Sequence, residues 1–429
     1  MSSFTNDNKD DNSKGKIGES VIRRMTRLSH EFNAVNLSQG FPNEAPPLEV
    51  RKSLAASVLS GGDTAHESLE QVLERINSST ITTPDVINQY SPPMGRLDLR
   101  EAIADYYKRL YDWKISPDDV TVTLGATEAV GSALRTLGKP GDKVVIIEPF
   151  HELYPSQCKI FYLEPLFVNL TETDCGWELD MEKLECALME SKILLLNSPH
   201  NPTGKVFKQL ELETIARLCI QHDVYIITDE IYEHMRYIDT PHYILPLLVP
   251  SISERTLMCN SIGKSASATG WRVGWCIHPK AVRGTFRAIH DQMVVMAPHP
   301  MQYASISYLK LPDSYFMIDL RLRYVERIET LVSCLKRVGF KVSAPEGAYY
   351  LFVKYTSVPQ LSSLTPMEAA MYLMEYVGVA TVPGDNFYGT SDSGQEYLRF
   401  AACRSNQDIT EACRRLENNF TCQTEVYSV

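Results

Sequence analysis

Short, almost uninterrupted runs of branched apolar residues constrain the fold of this chain more than any other feature. A strand that is apolar on both faces belongs to a parallel sheet with helices on each side. Amphipathic helical patterns such as LELETIARLCIQH separate the runs, and this alternation predicts an α/β domain with a mainly parallel sheet between helices. The runs are KVVIIEP at 143–149, KILLLNSP at 192–199, VYIITDE at 224–230 and TLMCNS at 256–261.

Polar clusters stand at the ends of these runs. Their sequences are EPFHELYP, NSPHNPTG, TDEIYEH and NSIGKSAS. Ligands of open α/β sheets bind beyond the carboxyl ends of the strands, so the clusters predict one shared site. Taken singly, each cluster is an ordinary surface loop, because polar segments rich in Gly and Pro are the usual connection between elements.

The composition argues against several classes of function. The 53 acidic residues exceed the 42 basic ones, and the net charge of -11 argues against a nucleic-acid surface. No apolar run reaches the roughly 18 residues that a membrane span requires, so we expect no membrane association. The ten cysteines are scattered without a C-x-x-C pair, which favours reduced thiols over disulfides or a metal site and indicates the cytoplasm.

Two regions outside the apolar runs have patterns of their own. Residues 58–85 predict a short amphipathic helix, with Thr64 and Glu67 at the spacing of a capping box. Its apolar face needs a partner in this chain or in a second one, and it consists of Leu69, Val72, Leu73 and Ile76. Beyond about residue 310, one long helix is predicted over 314–339, and GAYYLFVKY and EYLRFAACRS predict strands of a smaller α+β domain.

Lys264 lies among small residues in the segment NSIGKSASATGWRVGW, where three chemistries use a lysine. A phosphate-binding loop reads G-x-x-x-x-G-K-[ST], but Met258 stands where its first glycine belongs. Ser261 and Lys264 match S-x-x-K, but the companion motifs S-D-N and K-T-G are missing. The third chemistry is an imine with a carbonyl cofactor such as pyridoxal phosphate, and a solvated surface lysine is the plain alternative.

The strand ends offer the groups that pyridoxal phosphate needs. Its ring nitrogen needs a carboxylate, which Asp229 offers directly after a buried run. Its phenolic oxygen needs hydrogen-bond donors, and Tyr232 and Asn201 are candidates. Its phosphate needs backbone N–H groups and an arginine, which the helix start in TLGATEAVGSAL and Arg272 supply. Read alone, each of these residues is a helix cap, a turn residue or a surface charge.

The ordered set of motifs resembles the class I/II aminotransferases, which are pyridoxal-phosphate enzymes of fold type I. The resemblance covers nearly the whole chain after about residue 20 and is greatest to the branch of kynurenine, glutamine and methionine aminotransferases. It implies transfer of an amino group from an L-α-amino acid to a 2-oxo acid, in a homodimer with shared active sites. The motifs are NLSQGFPNEAPP, INQYSPPMGRLDLREAIADYY, GATEAV, NPTG, DEIY, SIGKSASATGWRVGW and YLRFAACRS.

The resemblance also implies a role for each site residue. Lys264 would hold the cofactor as an imine and carry the proton from the substrate Cα, while Asp229 would pair with the ring nitrogen. The remaining cofactor contacts would come from Tyr232, Asn201, Ala126, Thr127, Ser261, Arg272 and, across the subunit boundary, Tyr90. The substrate carboxylate would meet Arg399, Asn201 and the backbone of Gly40, and the side-chain pocket would involve Tyr349, Tyr350 and 382–389.

From the same resemblance we expect a large cofactor-binding domain and a small domain. The expected organisation is a disordered tail at 1–16, an N-terminal segment near the small domain and active site at 17–50, a link with an extra helical insertion at 51–96, the large domain at 97–305 and the small domain at 306–429.

Two departures from the family pattern leave the reaction open at this point. His151 stands where the family has an aromatic ring against the cofactor, and it could stack there or act as an acid or base. Segment 58–85 is longer than usual and could be a lid, a dimer contact or a neutral insertion. The alternatives are a lyase, cyclase, side-chain replacement enzyme or amino-acid oxidase on the same scaffold, or a binding module without catalysis.

Overall fold

The predicted apolar runs form strands in the computed structural model, which describes residues 19–62, 67–78, 85–174, 176–390 and 392–420. The predicted tail at 1–16 lies outside these ranges. The strands are β1 (Val35–Asn36), β2 (Val120–Thr123), β3 (Lys143–Glu148), β4 (Glu164–Thr173), β5 (Gly176–Leu179), β6 (Ile193–Asn197), β7 (Tyr225–Asp229), β8 (Thr256–Ser261), β9 (Gly274–Ile277), β10 (Tyr350–Lys354), β11 (Val379–Ala380), β12 (Val382–Pro383) and β13 (Tyr397–Ala401).

Helices separate most of these strands, as the alternating pattern predicts. They are α1 (Val21–Glu31), α2 (Leu48–Ser60), α3 (Leu69–Ser78), α4 (Leu97–Tyr111), α5 (Gly125–Leu137), α6 (Leu153–Ile160), α7 (Met181–Leu188), α8 (Gln209–Gln221), α9 (Leu245–Leu248), α10 (Ile262–Ser265), α11 (Lys280–Val294), α12 (His299–Leu309), α13 (Leu320–Arg337), α14 (Pro366–Tyr372) and α15 (Asn406–Phe420). A π-helical turn, Tyr315–Asp319, leads directly into α13, so the predicted long helix forms. A membrane crossing needs a long apolar helix, and none is found among the described residues.

One large sheet runs through the part of the chain before α11. Its strand order is β2-β9-β8-β7-β6-β3-β4-β5. The pairs joining β8, β7, β6, β3 and β4 are parallel, whereas β9 runs antiparallel to both of its neighbours and β5 antiparallel to β4. The prediction of a mainly parallel sheet between helices is therefore confirmed.

Alternate residues of the central strands face different helices. Leu194 and Leu196 of β6 belong to a core cluster that includes Ile215 of α8. Ile193 and Leu195 belong to another cluster, which includes Leu134 of α5. Successive side chains of a strand point to opposite faces, so a strand covered on both faces must be apolar throughout. This is the physical reason for the uninterrupted apolar runs.

The C-terminal part of the chain builds smaller sheets. Strands β10, β13 and β12 form an antiparallel sheet in which Arg399 of β13 pairs with Phe352 of β10. Strand β1 of the N-terminal segment pairs in parallel with β11, so that segment is held against the C-terminal part. The boundary between a large and a small domain at 305/306 stays a prediction.

The inserted helix α3 begins later than the sequence predicts. It starts at Leu69, with Ser68 N–H bonded to Gln71 Oε1 at 2.7 Å and Gln71 N–H bonded to Ser68 Oγ at 3.2 Å. The predicted capping box at Thr64 and Glu67 is therefore wrong for this helix. Thr64 lies outside the described residues, and the Glu67 carboxylate instead binds the guanidinium of Arg75.

Only part of the predicted apolar face of α3 is covered. Val72 is fully buried, and the side chains of Leu69 and Ile76 are partly buried. Leu73 is 41% exposed in the single chain, so this chain supplies a partner for only part of the face. The helix packs on α2, where Lys52 Nζ lies 3.1 Å from Glu70 Oε1.

Replacing Gly274 with Ala should destabilise the protein. A Cβ atom at this position of β9 would lie 2.6 Å from Gly125 C, 2.7 Å from Asn260 O and 2.8 Å from Ala126 N. These are backbone atoms that cannot rotate away, and overpacking of this kind costs about 1–3 kcal/mol or more. Urea unfolding of the ligand-free protein measures the loss.

Gly284→Ala is the matched control for this substitution. Gly284 lies within α11, is exposed and has nothing within 4 Å of an added Cβ. Alanine is the better helix former by roughly 0.5–1 kcal/mol, so this variant should be slightly stabilised. Equal stability of the two variants would show that β9 can move away from the start of α5.

Candidate active site

The polar ends of the central strands open into one cleft. It is bounded by the ends of β7 and β8, the N-terminus of α5 and the first turns of α6, and it encloses about 580 Å³ including its open mouth. The predicted site residues that line it are Ala126, Thr127, His151, Asp229, Ser261, Lys264 and Arg272.

Lys264 projects into the cleft from the single turn of α10, which follows β8 directly. The Ser261 hydroxyl begins this turn by accepting the Gly263 N–H at 2.9 Å. Lys264 Nζ donates to the carbonyl of Gly40 at 2.6 Å. Burial is the main reason that the pKa of Lys264 falls to about 8; the Cys403 thiol opposes this shift, and the positive charges of Arg399 and Arg272 add to it. The amine is therefore more often uncharged, and more nucleophilic, than a surface lysine.

Asp229 is the last residue of β7 and is buried beside the lysine in the same cleft. One carboxylate oxygen accepts the Tyr154 hydroxyl proton at 2.7 Å. Burial raises the pKa of Asp229 to about 6, although the Tyr154 hydrogen bond opposes this change. A positively charged N–H group placed against this carboxylate would keep it ionised.

The N-terminus of α5 and Arg272 form an anion-binding end of the cleft. The first N–H groups of a helix have no partners within the helix, and they carry partial positive charge. Arg272 donates to Thr269 O at 3.1 Å and to Leu124 O at 3.3 Å. A Cβ at Gly125 would lie 2.6 Å from Arg272 Nη2, and the positive φ of +78° at Gly125 also favours glycine. The guanidinium thus lies directly on the helix start, an arrangement suited to a phosphate group.

Arg399 is a buried cation with unfilled hydrogen-bonding capacity. It is 1% exposed, and it donates to Asn201 Oδ1 at 3.0 Å and to Ser38 O at 2.7 Å. Its Nε atom has no hydrogen-bond partner among the described residues. The rings of Tyr350 and Phe387 lie 4.4 and 4.8 Å from the guanidinium carbon. A guanidinium held in this way lacks an opposite charge, and a carboxylate matches its planar donors.

Gly40 brings the N-terminal segment between the lysine and the arginine. Its carbonyl accepts from Lys264 and from the Tyr349 hydroxyl, the latter at 3.2 Å. A Cβ at Gly40 would lie 1.8 Å from the Tyr350 hydroxyl oxygen, so the backbone approaches as closely as glycine allows. The Tyr350 hydroxyl lies 2.9 Å from that of Tyr232, which is buried.

His151 lies at the edge of the cleft as an uncharged ring. It stands edge-on to Tyr154, with the ring centres 5.5 Å apart, and its buried Nδ1 has no hydrogen-bond partner within the described ranges. Burial and the nearby charges of Arg399 and Lys264 lower the pKa of His151 to about 3. An imidazole with this pKa is neutral near pH 7 and is a weak base, which favours the stacking interpretation over an acid–base role.

The structure does not bring every predicted residue into the cleft. Tyr90 is 80% exposed in the single chain. Conversely, Tyr154 and Asn197 hold Asp229 in place and were missed; Asn197 donates to the Asp229 carbonyl at 2.8 Å. Tyr154 lies in the polar cluster EPFHELYP that follows β3, so its membership of that cluster was the available signal. Asn197 is the polar residue that closes an apolar run.

No metal site competes with this interpretation in the part of the chain that the structure describes. No group of three or more His, Cys, Asp or Glu side chains there is arranged to hold a metal ion.

Comparison with known proteins gives consistent similarities. Residues 53–416 match the family described as aminotransferase class I and II. The probable kynurenine–oxoglutarate transaminase of Saccharomyces cerevisiae is 32% identical over 77% of this chain and 80% of its own length. The methionine aminotransferase of Escherichia coli is 29% identical over 94% of this chain and 96% of its own. The structure of N-succinyldiaminopimelate aminotransferase from Mycobacterium tuberculosis superimposes with a TM-score of 0.84 at 30% identity, covering 94% of this chain and 97% of that one.

Replacing Asp229 with Asn should stabilise the ligand-free protein near pH 8. The pKa of this buried carboxyl is raised to about 6 in the folded protein, so its contribution to stability is complete below the unfolded pKa, where it is protonated. This contribution is lost as the pH rises through 6. A pKa shift of this size corresponds to a loss of about 3 kcal/mol in the free energy of unfolding, and the uncharged asparagine does not incur this loss. Urea unfolding of both proteins between about pH 5 and pH 8 should show the difference shrinking towards acid. A difference that does not vary with pH would mean that Asp229 is ionised at little cost.

Proposed function

Because this chain belongs to the class I and II aminotransferases, and therefore moves an amino group from an amino acid to a 2-oxo acid, we propose that its cleft holds pyridoxal 5′-phosphate on Lys264. The observation that carries the proposal is the placement of one amine, one buried carboxylate and one anion-binding helix start in a single cleft. When bound, the cofactor supplies an electron sink for the electron pair released at the substrate Cα.

The residues present fit this cofactor. Asp229 would pair with the ring N–H, and this contact would keep the carboxylate ionised despite its burial. Arg272, the Ser261 hydroxyl and the first turn of α5, with Ala126 and Thr127, would hold the phosphate. Tyr232 and Asn201 would donate to the phenolic oxygen. His151, whose Nδ1 lacks a partner among the described residues, would lie against the ring.

Lys264 is also placed to move the proton. Its amine has a pKa of about 8, so it would accept the proton released from the substrate Cα and carry it within the cleft. The Gly40 carbonyl, which accepts from Nζ at 2.6 Å, would hold the amine in the cleft. The N-terminal segment therefore contributes to the position of the proton carrier.

Arg399 would bind the substrate α-carboxylate. Its Nε lacks a partner in the described structure, and its outer nitrogens can exchange Asn201 and Ser38 for a carboxylate. The rings of Tyr350 and Phe387 flank this guanidinium and help to hold it in place. Kynurenine and methionine appear in the names of similar enzymes, which supports an apolar or aromatic amino acid as the donor.

A second copy of the chain would complete the site. Tyr90 is exposed, and the apolar side chains of Val58, Leu59, Val86 and Leu97 are exposed as well. Exposed apolar side chains before and after Tyr90 in the sequence support an interaction surface there. We infer a homodimer in which Tyr90 reaches the phosphate end of the partner's cleft. The described cysteines are unpaired, which supports the cytoplasm as the compartment.

Lys264→Ala and Arg399→Lys should separate cofactor chemistry from substrate binding. Lys264→Ala removes the amine that holds the cofactor and moves the proton, so kcat should fall about a thousandfold or more and the visible absorbance of the bound cofactor should disappear. Arg399→Lys keeps the charge but loses the planar donors, so KM for kynurenine or methionine should rise about 10- to 100-fold. Cofactor absorbance titrations and steady-state kinetics measure both effects.

Arg100→Lys is the control for the second variant. Arg100 is buried in α4, donates to Pro117 O at 2.9 Å and lies outside the cleft lining. Its KM should match that of the wild type. A wild-type spectrum in Lys264→Ala would refute the cofactor assignment, and an unchanged KM in Arg399→Lys would refute the substrate role alone.

Coexpressed Tyr90→Ala and Lys264→Ala chains should complement each other. Random pairing gives about one half mixed dimers, each with one intact site, so activity should approach about a quarter of the wild-type value. Each variant alone should have much lower activity. Activity equal to the mean of the two separate variants would mean that each cleft is built from one chain.

A further inference from the structure

A buried histidine behind the phosphate end of the cleft faces oxygen acceptors at both ring nitrogens. His290 of α11 is 0% exposed. Its Nδ1 lies 3.1 Å from Glu128 Oε2, and its Nε2 lies 2.8 Å from the carbonyl oxygen of Pro93. A neutral imidazole has only one N–H and can satisfy only one of these contacts as a donor, whereas the imidazolium satisfies both.

The surroundings of Glu128 support its ionised form. One carboxylate oxygen accepts the Leu124 N–H at 3.1 Å as well as facing His290, and the other accepts the Ser132 hydroxyl. A carboxylate that accepts on both oxygens gains from carrying its charge. Glu128 and His290 therefore form a buried ion pair in which donors and acceptors match.

The Glu128 side of this pair fixes the phosphate end of the cleft. Leu124 immediately precedes α5, and its N–H is held by Glu128 while its carbonyl accepts from Arg272 at 3.3 Å. The peptide groups on either side of Leu124 are thus tied to the ion pair and to the arginine proposed to bind phosphate. A shift of Glu128 would move the helix start that carries Ala126 and Thr127.

The His290 side of the pair fixes the segment that carries Tyr90. Pro93 lies three residues beyond Tyr90, and the intervening Ser91 donates its N–H to Met296 Sδ at 3.0 Å. The carbonyl of Gln89 is 2.8 Å from His299 Nδ1. Tyr90 itself is exposed, so its direction depends on how this backbone is held.

We propose that the Glu128–His290 pair is a positioning device that depends on the proton of His290, and that it holds the phosphate end of the cleft in register with the Tyr90 segment. This inference rests on the proposed function and adds that retention of the cofactor depends on pH. Neither residue contacts the cleft, so both act through Leu124 and Pro93. Loss of the proton removes one of the two hydrogen bonds and leaves the Glu128 charge unpaired, which loosens the site.

The charges around His290 determine whether the stability of the site rises or falls with pH. Burial opposes protonation, but the hydrogen bond to Glu128 and the charge of that carboxylate overcome it, and Asp291 on the same helix adds to them, so the pKa of His290 is raised. The group of the 89–93 segment that faces His290 is the uncharged carbonyl of Pro93. A raised pKa means that the stabilisation is complete below the ordinary histidine pKa of about 6.5 and is lost as pH rises through the folded value. Cofactor retention should therefore weaken on the alkaline side.

The test compares release of pyridoxal phosphate from the holoenzyme between about pH 6 and pH 9 in the wild type and in His290→Gln. The wild type should release cofactor faster as pH rises. The glutamine carries no charge, so the variant should release it about tenfold faster near pH 6 and should lose that part of the pH dependence. Glu128→Gln should behave in the same way. Parallel pH profiles in the wild type and both variants would overturn the proposal.

His278→Gln is the matched control. His278 is another buried histidine, with Nε2 2.8 Å from Thr121 Oγ1, and its pKa is lowered to about 4, mainly by burial, so it is neutral throughout the test. Its substitution should leave the pH profile of release unchanged. A control that reproduces the His290→Gln profile would assign the effect to general loosening and overturn the proposal.

Nitrogen NMR of the histidine rings in the wild-type protein tests the same idea without a variant that must fold. His290 should show two protonated nitrogens at pH 7 and titrate above the ordinary histidine value. A neutral ring at pH 7 would overturn the inference. Failure of the wild type to bind pyridoxal phosphate at all would instead refute the proposed function, because the NMR result does not depend on the cofactor.

Discussion

The coverage of the central sheet on both faces is the constraint from which the rest of the molecule follows. Strands β6 and β7 point alternate side chains into separate apolar clusters, so a polar group along their length needs a hydrogen-bond partner, as Thr228 has in Glu230. Polar residues are therefore concentrated at the strand ends, where Asn197, Asp229 and Ser261 close three neighbouring strands. The neighbouring strands are parallel, so these ends meet at one edge and form one cleft.

The charged groups in that cleft, and Arg399 beside it, lack matching partners in the single chain. The pKa of Asp229 is raised, that of Lys264 is lowered and the Arg399 Nε has no partner in the described structure. Each condition costs free energy of folding, and a ligand with a protonated ring nitrogen, a carbonyl carbon and a nearby carboxylate would relieve all three. Sites that bind strongly are commonly less than optimally stable without their ligands. By contrast, Glu128 and His290 satisfy each other's hydrogen-bonding groups within the protein, which agrees with their proposed positioning role.

The sequence predicted the sheet, and it predicted that Asp229 and Lys264 lie together at one edge of it, because both depend on local patterns. Apolar runs locate strands, and the polar cluster after a run locates the strand end. The roles of these residues stay predictions from the family resemblance. The contact between Glu128 and His290 joins residues 162 positions apart, and no spacing rule reports such a pair. The start of α3 was predicted wrongly because Thr64 with Glu67 and Ser68 with Gln71 both have capping spacing, and only the latter pair caps the helix that forms. Tyr90 is exposed in the single chain, so the role that the family resemblance implies for it stays a prediction.

The site also depends on contacts that the N-terminal segment makes with two distant parts of the chain. Gly40 accepts from Lys264, which is 224 residues away, and Ser38 accepts from Arg399, which is 361 residues away. Both contacts use backbone carbonyls, so they depend on the path of the segment rather than on its side chains. That path is fixed by the pairing of β1 with β11, where Val35 lies opposite Val379. The distance between the Lys264 amine and the Arg399 guanidinium thus depends on a short strand pair outside the cleft, which makes the N-terminal segment a part of the proposed active site.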